Sequence, residues 1–196
     1  MTQLVMGISG ASGAAYARRL AQCLVEYDVR LHLVATPAAR QVMVDELGLR
    51  EFSVEALLGG PVGNVALHHP DDLRARIASG SFLTAGMVVC PCSSRSLGAI
   101  AHGLGDNLLT RAALVTLKEA RRLILVPREM PLSQIDLANM LRLSRAGAII
   151  CPASPGFYTN PKTIGDLIDF VVGRVLDLFG LPHKLGTRWD PADGTD

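Results

Sequence analysis

The chain has 196 residues, 49% of them hydrophobic and 19% charged, which excludes a disordered chain and suits one domain of ordinary size. Nineteen basic residues against eighteen acidic ones leave a net charge of +1. No global field therefore points to nucleic acid or to a polybasic membrane contact, and an anion site has to be local. No apolar run reaches the roughly 18 residues of a membrane span. The apolar stretch from Leu4 to Ile8 breaks at once into glycines, unlike a secretory leader, so a cytoplasmic location is expected. Cys23, Cys90, Cys92 and Cys151 lack zinc-site spacing, and Cys90 and Cys92 read as packing residues at a strand end.

In chain order, Leu4 to Ile8 reads as a strand, Ser9 to Gly13 as a glycine loop, and the spacing of Tyr16, Leu20, Cys23, Leu24 and Tyr27 as a helix. Arg30 to Ala35 is a second strand, and Pro37 opens a helix that carries Val42, Met43, Glu46 and Leu47. The stretch from Glu51 to Ser81 is the least regular, with a short strand expected at Val65 to His68. Beyond it come a strand at Gly86 to Cys90, helices over about Ser96 to Ala101 and Asn107 to Glu119, and a strand at Leu123 to Val126. A helix from Ser133 to Arg145, a strand from Ala148 to Cys151, a loop rich in proline and glycine, and a long helix from Thr163 to Phe179 complete the pattern. Continuous apolar strands such as Met87 to Cys90 suit parallel strands covered on both faces. The expected fold is a doubly wound parallel α/β sheet, Rossmann-like or flavodoxin-like, in three α/β/α layers. It is expected as a single domain over residues 1–190, with 191–196 as a flexible tail.

Ligands of such sheets sit beyond the carboxyl ends of the strands. There the sequence places Ser9 to Gly13, Thr36, Pro91 to Ser96, Pro127 to Pro131 and Pro152 to Tyr158. Glycines and small hydroxyl residues at helix starts make phosphate cradles, because unpaired backbone N–H groups and the helix dipole favour an anion. The first loop lacks the Gly-x-Gly-x-x-Gly spacing, and Thr36 stands where a dinucleotide site expects an acid, which weakens an NAD reading. A mononucleotide such as FMN needs one phosphate nest, which Ser93 to Ser96 can supply. Among the cations Arg111, Lys118, Arg128 and Arg174, the one directly after a buried strand, Arg128, ranks first. Arg121, Arg122, Arg142 and Arg145 read as a solvated helix face. No histidine is assigned a role.

These loops resemble one family over nearly the whole chain, the UbiX/Pad1 flavin prenyltransferases. The motifs that carry the resemblance are Gly7-Ile8-Ser9-Gly10-Ala11-Ser12-Gly13, Ser79-Gly80-Ser81-Phe82, Pro91-Cys92-Ser93, Arg111-Ala112-Ala113 with Leu117-Lys118-Glu119, Val126 to Pro131, Pro155-Gly156-Phe157-Tyr158 and Arg188-Trp189. The resemblance implies a prenyltransferase that binds reduced FMN and dimethylallyl phosphate and produces prenylated FMN for UbiD-type decarboxylases. It implies no metal, and a homo-oligomer, a dodecamer, with active sites at subunit interfaces. Residue by residue, it assigns FMN contacts to Gly10, Ala11, Ser12, Thr36, Ser93, Ser94, Arg95, Ser96 and Arg128, with Thr36 keeping the hydroxyl of a position where serine is common. It assigns prenyl-phosphate contacts to Tyr158 and Arg174. The phosphate-end cluster is Arg111, Lys118 and Glu129, the acid/base carboxylate is Glu46, and the aromatic beside the prenyl chain is Trp189.

Allylic C–O cleavage puts positive charge on the prenyl group, which an aromatic face stabilises, and negative charge on the leaving phosphate, which Arg and Lys hold. Two alternatives remain at this point. One is an FMN-dependent cysteine-type decarboxylase of the same fold, which needs a histidine near the flavin. The other is a non-catalytic partner subunit of an aromatic-acid decarboxylase.

Overall fold

The computed structural model describes residues 1–27, 29–60 and 62–186. These fall into two compact units, Met1–Ala153 and a shorter one that begins at Ser154. In the first unit, β1 (Thr2–Ile8), β2 (Val29–Ala35), β3 (Val65–His68), β4 (Gly86–Cys92), β5 (Arg122–Pro127) and β6 (Ile149–Ile150) form one sheet in the order β3-β2-β1-β4-β5-β6. All five neighbouring pairs are parallel. The chain therefore winds outward in both directions from the gap between β1 and β4, and this reversal is where doubly wound sheets open a crevice.

The register sets that crevice. Ile8 is level with Ala35 and Gly7 with Val89, so the chain leaves β1, β2 and β4 at one edge of the sheet. The strands are apolar and buried because helices cover both faces; all seven residues of β4 are buried. α1 (Ala14–Glu26) buries Ala14, Ala17, Leu20, Ala21, Cys23 and Leu24, a stripe at helical spacing. α5 (Leu108–Lys118) presses close to the centre of the sheet. A Cβ on Gly7 would meet Leu109 Cγ at 2.9 Å, so only glycine fits that point of β1. α4 (Ser94–Ala101) and α6 (Gln134–Arg145) pack against each other.

Local chemistry explains most boundaries. Thr36 caps α2 (Pro37–Leu47) by accepting from the Ala39 amide, Pro37 occupies the first turn, and Gly48 ends the helix at φ 63°. A short helix, α3 (Val54–Leu58), occupies part of the stretch expected to be irregular. Its signals were present in Ser53, which caps it, and Gly59, which ends it at φ 66°. β4 runs two residues past its expected end, through Pro91 to Cys92, and α4 begins at Ser94 rather than Ser96 because Ser93 is its cap. Cys90 and Cys92 are buried packing residues as expected, and burial pushes both thiols well above their ordinary range.

The second unit contains α7 (Ile164–Phe179), opened by a reciprocal pair of bonds between Thr163 and Asp166 and closed by Gly180 at φ 72°. No described helix is long and apolar enough to cross a membrane.

Candidate functional site

Beyond the carboxyl ends of β1, β2 and β4 lies a cavity of about 540 Å³, lined by Gly10, Thr36, Ser93, Arg95, Ser96 and Asn107 among others. Three of these residues are helix caps, Thr36 for α2, Ser93 for α4 and Asn107 for α5. The first amides of a helix have no partner within it, and its dipole is positive at that end, so three helix starts around one cavity create a site for an anion. Asp71 and Asp106 add carboxylate acceptors to the lining. Asp106 already accepts from Asn107 Nδ2 at 3.1 Å and Thr110 Oγ1 at 3.2 Å. A ligand with a phosphate and several hydroxyl groups matches this lining, and the volume lies in the ~300–1,000 Å³ range of small-molecule sites. Gly10 lets the glycine loop approach α2, because a Cβ there would lie 2.5 Å from Ala38 Cβ.

A second group forms where the glycine loop turns into α1. Gly13, at φ 123°, leaves α1 without a side-chain cap of its own. Glu46, near the end of α2, supplies it from 33 residues away, with Oε2 accepting from the Gly13 amide at 2.9 Å and the Ala14 amide at 2.7 Å. Arg128 Nε donates to the Ser12 carbonyl at 2.9 Å. Burial works to raise the Glu46 pKa. The Ser12 hydroxyl, the two amides and the Arg128 charge outweigh it, and the carboxyl sits below its ordinary value. Glu46 is thus an ionised carboxylate, fit to receive a proton rather than to donate one.

Glu129 meets the start of α4. The Ser94 hydroxyl lies 3.4 Å from Glu129 Oε2 and also bonds Asp136, whose pKa is held down by the Ser133 and Ser94 hydroxyls and the Ser133 amide. Other sequence-assigned residues stand apart. Arg111 Nε donates to the Ala78 carbonyl at 3.4 Å. Lys118 pairs with Glu119 at 3.5 Å, at the far end of α5 from Asn107. Eleven residues at 1.5 Å each put it roughly 16 Å along the helix axis from the cavity. In the second unit, Arg174 Nη1 binds Asp177 at 3.1 Å, and Asp177 also takes His183 Nε2 at 3.1 Å. Tyr158 sets its ring edge-on to Phe170 with centroids 5.8 Å apart. Trp189 lies outside the described residues.

Three features escaped the sequence reading. Arg121 is no solvated helix residue: its guanidinium, 14% exposed, donates to the carbonyls of Phe82 at 2.8 Å and Gly80 at 2.6 Å and pins the Ser79 to Phe82 motif to the turn before β5. His32 is buried in β2 between His68 Nε2 and Gln3 Oε1, each at 2.9 Å. Ser9, also buried, bonds to the Pro91 carbonyl at the end of β4 and to the Ser93 amide just beyond it. All three depend on partners far away in the chain; alternation at His32 was the one local hint.

A family model described as Flavoprotein matches residues 1–176. A flavin prenyltransferase UbiX from Halalkalibacterium halodurans is 50% identical over 188 residues, 94% of this chain and 91% of that one. Among solved structures, a dodecameric FMN-dependent UbiX-like decarboxylase from Escherichia coli O157:H7 matches with a TM-score of 0.88 and 45% identity, over 96% of this chain and all of that one. AnUbiX (PadA1), solved in complex with FMN and dimethylallyl pyrophosphate, matches with a TM-score of 0.88 and 39% identity, over 96% and 97% of the two chains.

Proposed function

The chain belongs to the family of UbiX flavin prenyltransferases, and on that premise we propose that it transfers the dimethylallyl group of dimethylallyl phosphate to reduced FMN, producing prenylated FMN. The observation that carries this reading is the cavity at the reversal of the sheet, ringed by three helix starts and large enough for a mononucleotide. The reading takes residues 1–190 as one flavoprotein domain with 191–196 as its tail.

Reduced flavin supplies a nucleophilic ring nitrogen to the allylic carbon, and the C–O bond to phosphate breaks. This chain's residues do the rest. Gly10, Ala11, Ser12, Thr36, Ser93, Ser94, Arg95 and Ser96 hold the mononucleotide with backbone amides and hydroxyls, and Arg128 braces the glycine loop from the other side. Tyr158 and Arg174 take the donor phosphate, joined by Arg111 and Lys118, which hold the negative charge that grows as it leaves. To Trp189 falls the role of the aromatic that stabilises positive charge on the prenyl group. Glu46, ionised, receives the proton that the aromatic carbon loses as the new ring closes, and the proton that the prenyl double bond takes up in the same closure comes from the departing phosphate or Glu129. Because Lys118 stands at the other end of α5 from the cavity of its own chain, it serves the site of a neighbouring copy, in keeping with a homo-oligomer, which we propose is a dodecamer. The product passes to a UbiD-type decarboxylase.

The cysteine-type decarboxylase reading needs a histidine at the flavin, and the lining of the cavity includes none among the described residues. Anaerobic incubation with reduced FMN and dimethylallyl phosphate is expected to yield a flavin heavier by one dimethylallyl unit in mass spectrometry, and absence of that product overturns the proposal. A parallel reaction with the diphosphate establishes the donor. Activation of a UbiD-type apo-decarboxylase by the product checks the recipient.

A further inference from the structure

The loops after β1 and β4 form adjoining walls of the cavity, through Gly10 on one side and Ser93 on the other. Pairing of β1 with β4 brings the two loops side by side as far as Gly7 and Val89, and beyond that point Ser9 ties them together across the 84 residues that separate it from Ser93. The Ser9 hydroxyl donates to the Pro91 carbonyl at 2.9 Å and accepts from the Ser93 amide at 2.7 Å, while the Ser9 amide bonds the same carbonyl at 3.2 Å. Ser9 is 1% exposed and is not part of the lining, so it does not touch a ligand itself.

From this geometry we infer that Ser9 is a positioning residue for the phosphate end of the cavity, one that fixes where the first turn of α4 stands relative to the glycine loop. The Ser93 amide that it holds belongs to the cap of α4, and the Ser93 hydroxyl in turn accepts from the Ser96 amide at 3.3 Å. Ser9 therefore holds the hydrogen-bonded turn at the start of α4, whose Ser93, Arg95 and Ser96 line the cavity at the positive end of the helix dipole. Without the hydroxyl, the part-buried Ser93 amide loses its acceptor, and the Pro91 carbonyl keeps only its backbone donor. The cheapest relief is for the first turn of α4 to move toward water and away from the ligand phosphate.

The inference rests on the proposed mononucleotide site, and its test separates the two. FMN and riboflavin share the ring and the ribityl chain and differ only in the phosphate, so the ratio of their dissociation constants, read by flavin fluorescence quenching, reports on the phosphate end alone. Ser9→Ala is expected to weaken FMN about tenfold and to leave riboflavin within about twofold of wild type. Ser9→Thr, which restores the hydroxyl, is expected to return the ratio to wild type. Equal loss of both ligands assigns Ser9 a merely structural role, and unchanged FMN binding removes any role; either result overturns the inference. A wild-type protein that binds riboflavin as tightly as FMN overturns the underlying site instead. Should Ser9→Ala fail to fold, Ser9→Cys, similar in volume but a weak hydrogen-bonding group, is read by the same ratio.

Discussion

Glu46 has two tasks that one substitution separates. As an acceptor for the Gly13 and Ala14 amides it closes the start of α1, and a glutamine carbonyl can do the same; as a carboxylate it receives a proton, which glutamine cannot. Glu46→Gln is therefore expected to leave thermal unfolding near neutral pH within a few degrees of wild type while slowing formation of prenylated FMN about 100-fold. A rate close to wild type would remove Glu46 from the proton transfer. The pH dependence follows from the direction of its shift. The folded pKa lies below the ordinary 4.5, so the stability that the charge lends is present above that value and disappears as the pH falls through the folded one. The gap in melting temperature between wild type and Glu46→Gln should shrink with acidification and never widen. Gly10 is a second clean site. Gly10→Ala places a methyl group 2.5 Å from Ala38 Cβ, pushes the glycine loop from α2, and is expected to weaken FMN binding about tenfold in a titration.

At the scale of elements, periodicity and caps account for most of the architecture. The strands are continuous apolar runs, and Thr36, Pro37, Ser133 and Thr163 announce their helices because capping is decided by residues three or four apart. What sequence could not reveal was set by contacts across strands or loops. Ser9 meets Pro91, Glu46 meets Gly13, and Arg121 meets Gly80, none of them within helical or hairpin reach. The candidate site was legible as a set of loops, because a doubly wound order carries all of them to one edge. The positions of Lys118 and Arg111 along α5 were not, since motif order says nothing of which end of a helix faces the ligand.

The outer strands carry their own prediction. His32 in β2 bridges Gln3 of β1 and His68 of β3, stacks on His68, and receives the edge of Phe82, over whose ring Arg76 lies. Burial first, then the charges of His68, Arg30 and Arg76, lower its pKa from 6.5 to about 4. The unfolded chain thus takes up this proton before the folded one, and stability falls as the pH drops from 6.5 toward 4. His32→Gln, which cannot titrate, should show a melting temperature several degrees less sensitive across that window. Equal slopes for the two proteins would mean that the strand bridge accepts its proton without cost.

For the whole molecule, the apolar average agrees with a face left for other copies. Met130, Ile135, Leu137 and Leu141, all more than half exposed, line the approach to α6 and its surface. The placement of Lys118 at the far end of α5 then has a genetic consequence. If each reaction centre draws Glu46 from one copy and Lys118 from another, two defective proteins carry complementary halves. Glu46→Gln and Lys118→Ala, each inactive alone, should regain about a quarter of wild-type turnover when dissociated, mixed in equal amounts and reassembled, because about one centre in four inherits both intact residues. A mixture as inactive as its parts would confine every catalytic group to a single chain.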